Sequence, residues 1–84
     1  MHKITFSKQV YKSLRRMPRN TSIKTAKKIK ELAANPHGMR NVKKLTDHHG
    51  FRLRVGDWRV VYTAHEKEVL IHIVKIKSRG EVYK

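Results

Sequence analysis

The chain has 84 residues, with 21 Lys or Arg against 6 Asp or Glu, a formal net charge of +15 and a pI near 10.7. That length implies one domain, residues 1–84, able to bury only about 60–65% of the surface its unfolded chain exposes. The chain has no Cys, which excludes disulfides and thiolate metal sites, and no apolar run near the ~20 residues that span a bilayer.

An excess of positive charge repels itself in a compact fold, so a polyanion is the expected partner. Nucleic acid leads, because cations placed on phosphates release condensed counterions. An acidic protein or an anionic membrane surface also fits the charge. The membrane is the weaker of these, since no long basic amphipathic helix is evident. Met1 to Phe6 has too short an apolar stretch for a signal peptide. A reducing cytoplasm suits the absence of Cys.

Lys3 to Phe6 reads as a first strand, with Ile4 and Phe6 on one face. Ser7 stands where a helix N-cap would. Val10, Leu14 and Met17 follow at i, i+4 and i+7, a helical stripe that Pro18 ends. Asn20 or Thr21 is expected to cap a second helix reaching about Ala34. Its expected buried side is Ile23, Ala26, Ile29, Leu32 and Ala33, and Lys24, Lys27, Lys28 and Lys30 form a solvated basic face. Asn35-Pro36-His37-Gly38 stops that helix. Met39 to Gly50 is irregular, anchored by Val42 and Leu45. Phe51–Val55 and Trp58–Thr63 form a hairpin about Gly56-Asp57. Val69–Ile76 is apolar on both faces, which predicts a central strand. Strand, two helices and three strands make an α+β domain, βααβββ in order, with the helices packed on a mainly antiparallel sheet.

The hairpin carries the chemistry. Arg52 and Arg54 share one strand face, and Phe51, Leu53 and Val55 the other. Arg59 follows on the partner strand. Guanidinium groups are expensive to bury unpaired, so this face opens to solvent and suits an anion. The plain alternative is a solvated edge face. Trp58 and Tyr62 read as core, and His72, inside an apolar strand, reads as a packed core or interface residue. His48 and His49 read as exposed loop residues.

Lys44-Leu45, the run Phe51-Arg-Leu-Arg-Val-Gly-Asp-Trp-Arg-Val-Val-Tyr62, and Arg79-Gly-Glu-Val-Tyr83 together resemble the RelE/ParE superfamily of type II toxins. The resemblance spans essentially the whole chain and implies a microbial RNase-like fold. Its RelE branch cuts messenger RNA in the ribosomal A site. Its ParE branch inhibits DNA gyrase and is not a nuclease. Arg52 and Arg54 stand where RelE-type members usually carry catalytic lysines. Arg59 matches the strand arginine that contacts phosphate, and Lys77 the position of a proposed general acid. Arg79 matches the arginine before the terminal Glu-Val-Tyr, and Tyr83 the tyrosine that orients the substrate base.

The reading favoured is a ribosome-dependent endoribonuclease needing no metal or small-molecule cofactor. Metal-free RNA cleavage needs a group to take the 2′ proton, positive charge for the phosphorane and a proton for the leaving oxygen. Arginine forks suit the second need. They are poor bases, because a guanidinium is not deprotonated in a protein. Lys75 and Lys77 are the candidate proton-transfer groups, with Lys43, Lys44 and Lys75 as further RNA contacts. The expected partners are an acidic cognate antitoxin, the ribosome and mRNA. The alternatives are a ParE-type gyrase inhibitor and a non-catalytic RNA-binding module.

Overall fold

Pro18 divides the N-terminal half. The computed structural model describes residues 2–45, 50–65 and 67–78. It places helix α1 at Lys8–Arg16 and helix α2 at Arg19–Ala34. Helical backbone is disfavoured before proline, and Met17 accordingly turns extended (φ −67°, ψ 147°). Pro18 itself occupies the N-cap position of α2, ahead of the Asn20 or Thr21 expected there. Its fixed φ is suited to a helix start. Ser7 does hold the N-cap position of α1, but its hydroxyl donates to the Val74 carbonyl and ties the helix to the sheet.

The strands are β1 (Lys3–Phe6), β2 (Val42–Lys44), β3 (Phe51–Val55), β4 (Trp58–His65) and β5 (Leu70–Ser78). They form one sheet in the order β1-β5-β4-β3-β2, with β1 parallel to β5 and the other pairs antiparallel. The domain is α+β, two helices on a mixed sheet, and the last strand is central as expected. β2 is additional to the expected order: three residues are too few to show a period, and pairing with Phe51–Leu53 makes them a strand. Gly56 turns the β3–β4 hairpin at φ 58°, which suits a residue without Cβ.

Both helices cover one side of the sheet. Val10, Ile29 and Leu32 join Leu53, Val55, Val60, Tyr62, Ile71, Ile73 and Ile76 in a single core. The buried stripe of α2 is rotated from the expected one. Thr25 is fully buried, whereas Ile23 is 57% exposed and Ala26 is exposed. Thr25, Ile29 and Leu32 lie at i, i+4 and i+7, and Ile23 is turned about 200° from Thr25.

A bulge settles how β5 uses its apolar residues. Opposite Val61 and Tyr62 stand Lys75 and Ile73, so Val74 is the extra residue. The bulge reverses the alternation and brings Ile71, Ile73 and Ile76 to the same side, all 0% exposed. The apparent two-sided burial is therefore largely one-sided. Val69 lies in the turn before β5, at φ 52°, a left-handed backbone unusual for a β-branched residue. Its carbonyl accepts from the Lys3 N–H at 2.8 Å, holding β1 to the start of β5.

Tyr62 stacks on Phe51 with ring centroids 5.4 Å apart. Burial pushes its phenol up to about 12, because the anion is poorly solvated there. In the unfolded chain the phenol ionises near 10. Above that pH the unfolded state loses its proton first, and stability falls as pH rises. The window runs from about 10 to the folded value of about 12. Across it the fold loses about 3 kcal/mol through this group. Urea titrations at increasing pH should show that loss in the native protein and a flatter profile in Tyr62→Phe.

Candidate functional site

The side of the sheet away from the helices is cationic. Strand register sets Arg54 opposite Arg59, and Arg59 opposite Lys77. The next row runs Lys43, Arg52, Val61 and Lys75 across four strands. Directly opposed residues hold their Cβ atoms about 4.5–5.5 Å apart, and rows on one face are about 7 Å apart. Like charges so placed destabilise the free sheet, and an anion bound between them removes that cost.

A cavity of about 290 Å³ opens among Arg40, Asn41, Lys43, Arg52, Arg54 and Arg59, and among the described residues no carboxylate lines it. A smaller one of about 140 Å³ lies at the hairpin end, between Arg54, Arg59 and the Gly56-Asp57 turn. Arg54 is anchored at both ends. Its backbone N–H donates to the Asn41 carbonyl at 2.9 Å, and its Nε donates to the Gly56 carbonyl at 3.4 Å. The hairpin thus presents guanidinium groups, and β2 the Lys43 ammonium, from a paired sheet, the arrangement that favours a phosphate oxyanion without reorganisation.

The structure gathers Lys43, Arg52, Arg54, Arg59, Lys75 and Lys77 on this face. Lys43 reaches it from strand β2 and not from a loop. Lys44 does not join, because the alternation of β2 turns it to the other side. There it borders an apolar groove with Met39, Val42, Phe51 and Tyr62. Arg79, Tyr83, His48 and His49 lie outside the described residues. Arg40 escapes sequence reasoning, since a single basic residue in an irregular stretch carries no periodic signal.

His72 is not a core residue. Its neighbours Ile71 and Ile73 take the core side, leaving His72 on the cationic face opposite Thr63. The Thr5 hydroxyl lies 2.7 Å from its Nδ1, and Thr63 Oγ1 lies 3.0 Å from His65 Nε2. The His72 imidazole stands two rows beyond Arg59 and that of His65 three, too far along the sheet to share a phosphate with it directly. Among the described residues no three His, Asp or Glu side chains gather as metal ligands. No helix is long and apolar enough to cross a membrane. Around the arginines the face can hold a phosphate by paired guanidinium bonds, and there the neighbouring lysines, unlike the arginines, can also exchange protons.

The model of the family described as ParE toxin of type II toxin-antitoxin system, parDE, matches residues 4–83. The chain is similar to the crystal structure of the archaeal RelE-RelB complex from Pyrococcus horikoshii OT3. That match has 30% identity, covers 94% of this chain and 96% of that chain, and has a TM-score of 0.83. The YoeB-YefM toxin-antitoxin complex from Staphylococcus aureus matches at 22% identity, 92% and 95% coverage and a TM-score of 0.73. The intact RelBE complex from E. coli matches at 19% identity, 93% and 96% coverage and a TM-score of 0.67. No protein of curated function matches the sequence significantly. With a family match across nearly the whole length and a sheet of this order, the chain belongs to the RelE/ParE superfamily of type II toxins, within the ParE toxin family.

Proposed function

We propose that this toxin arrests translation in the cytoplasm by cutting messenger RNA on the ribosome. The observation that carries the reading is the row Arg54, Arg59 and Lys77 beside Arg52 and Lys43, open to solvent around a cavity the size of a phosphate and its sugar. The 30% identity to a chain of the RelE-RelB complex supports it, while the match to the ParE toxin model keeps the gyrase inhibitor as the competing reading. In the reaction the ribose 2′-oxygen attacks phosphorus and the bond to the 5′-oxygen breaks. A 2′,3′-cyclic phosphate and a 5′-hydroxyl result. The guanidinium groups of Arg52, Arg54 and Arg59 hold the phosphorane's charge, and no metal is needed for that task. The 2′ proton passes to the Lys75 amine as the O–P bond forms, and the Lys77 ammonium delivers a proton to the leaving 5′-oxygen. Arg79 and Tyr83 complete the site by holding phosphate and base. The ribosome supplies the substrate's orientation.

The partner in the resting state is an acidic antitoxin. Its carboxylates neutralise the cationic face, as complementary charge across an interface would require.

Inducing the chain in cells and mapping message ends by primer extension tests the reading. Cuts within translated codons, suppressed by the co-expressed antitoxin, are expected. Growth arrest with intact messages, together with inhibition of purified gyrase in a supercoiling assay, would replace it with a gyrase inhibitor.

A further inference from the structure

A second cavity, of about 300 Å³, lies where α1 passes the ends of β4 and β5. Gln9, Lys12, Ser13 and Arg16 line it from the helix, and Trp58 and Lys77 from the sheet. Lys12 and Arg16 are exposed and Trp58 is half-buried. Among the described residues the lining holds no carboxylate. Among the described residues, no ion pair holds Lys12, Arg16 or Lys77. The Ser13 hydroxyl is already used, donating to the Ile76 carbonyl at 3.0 Å, and fixes the helix against the strand.

Lys77 belongs to two places at once. It stands opposite Arg59 on the open face and also lines this cavity. The cationic surface therefore continues past the edge of β5 onto α1. Cations around an indole are a different arrangement from the arginine face, whose lining holds no aromatic ring among the described residues. They suit a ligand with an anion and a flat ring a few ångströms apart. A run of acidic residues has the anion without the ring, whereas every nucleotide has both.

We propose that this cavity is a second nucleotide subsite, taking the unit of single-stranded RNA next to the one on the arginine face. Lys12 and Arg16 hold its phosphate, Trp58 takes its base, and Lys77 links the two subsites. The inference rests on the reading that the arginine face receives RNA.

Trp58 is the chain's single Trp, so its emission reports on this cavity alone. Titration with a single-stranded oligoribonucleotide should quench it. Lys12→Gln/Arg16→Gln should weaken that binding about tenfold. The slope of log affinity against log salt should become shallower by about 0.7 for each phosphate left without its cation. The charge-matched control Lys24→Gln/Lys27→Gln, on exposed positions of α2, should bind as the native protein does. Poly-glutamate should leave Trp58 emission unchanged. The inference is overturned if RNA leaves Trp58 unquenched, if the control loses as much affinity as the test variant, or if poly-glutamate quenches equally. Primer extension on the same variants separates the two readings. Message cutting without quenching removes the subsite alone. Quenching that depends on Lys12 and Arg16, with messages intact, supports the subsite and removes the cutting reaction.

Discussion

Arg59→Ala should abolish growth arrest and slow message cutting by about 100–1,000-fold, the usual cost of deleting one preorganised donor to a developing oxyanion. Arg59 is the central member of its row, with Arg54 on one side and Lys77 on the other. No neighbour can take over its position without leaving its own. Arg59→Lys keeps the charge and loses the planar fork, so it should restore only part of the rate. The side chain points away from the core, so circular dichroism should stay near native. Cutting at the native rate in Arg59→Ala would place the reacting phosphate elsewhere on the molecule.

Leu53→Ala should cost about 3 kcal/mol of stability, the middle of the range for emptying a buried leucine site. Leu53 is 0% exposed and lies between Arg52 and Arg54, on the opposite side of their strand. It pairs with Val42 on β2 and Val60 on β4, so its loss loosens both neighbours. A domain of this size has about 4–13 kcal/mol in total, so the variant keeps about 1–10 kcal/mol and is partly unfolded at physiological temperature at the low end of that range. The effect on function should be indirect. Toxicity in cells should fall with the folded fraction, while the purified, folded variant should cut at close to the native rate. A loss below about 1 kcal/mol, read from urea denaturation, would mean the core is not centred at this strand.

The hairpin is legible in the sequence because it combines two strong local signals. Alternation of Arg52 and Arg54 with Leu53 and Val55 defines the two sides of β3, and Gly56-Asp57 marks the turn. Pro18 is equally plain, since a proline acts on its own neighbour. What cannot be read depends on partners distant in sequence. β2 exists only through its pairing with β3. Lys43 and Lys44, adjacent and alike, are sent to opposite sides by that pairing. The bulge at Val74 has no signature in a run of apolar residues, so the alternation of β5 cannot be followed through it. His72 reads as internal for the same reason. Ile23 belongs to the buried stripe by its chemistry, but the angle of α2 on the sheet brings Thr25 inward in its place. The site is legible as a set of cations. Its extent is not, because Arg40 and the cavity beside Trp58 are assembled from segments with no shared pattern.

The place of β5 has a consequence for how the toxin comes into being. This strand follows all the other described strands in the chain, yet it lies between β1 and β4 and carries Ile71, Ile73 and Ile76. Among the described residues β1 has no other partner in the sheet, and its residues meet theirs across nearly the full sequence, Ile4 against Ile71. Pairings of such separation are slow to form. An emerging chain that stops before Leu70 has neither a neighbour for β1 nor a floor for α1. Lys77, which joins the row of Arg54 and Arg59, arrives with the same strand. The row of Arg54 and Arg59 thus gains its third cation only with the last described strand, and a chain ended before Leu70 should fail to arrest growth.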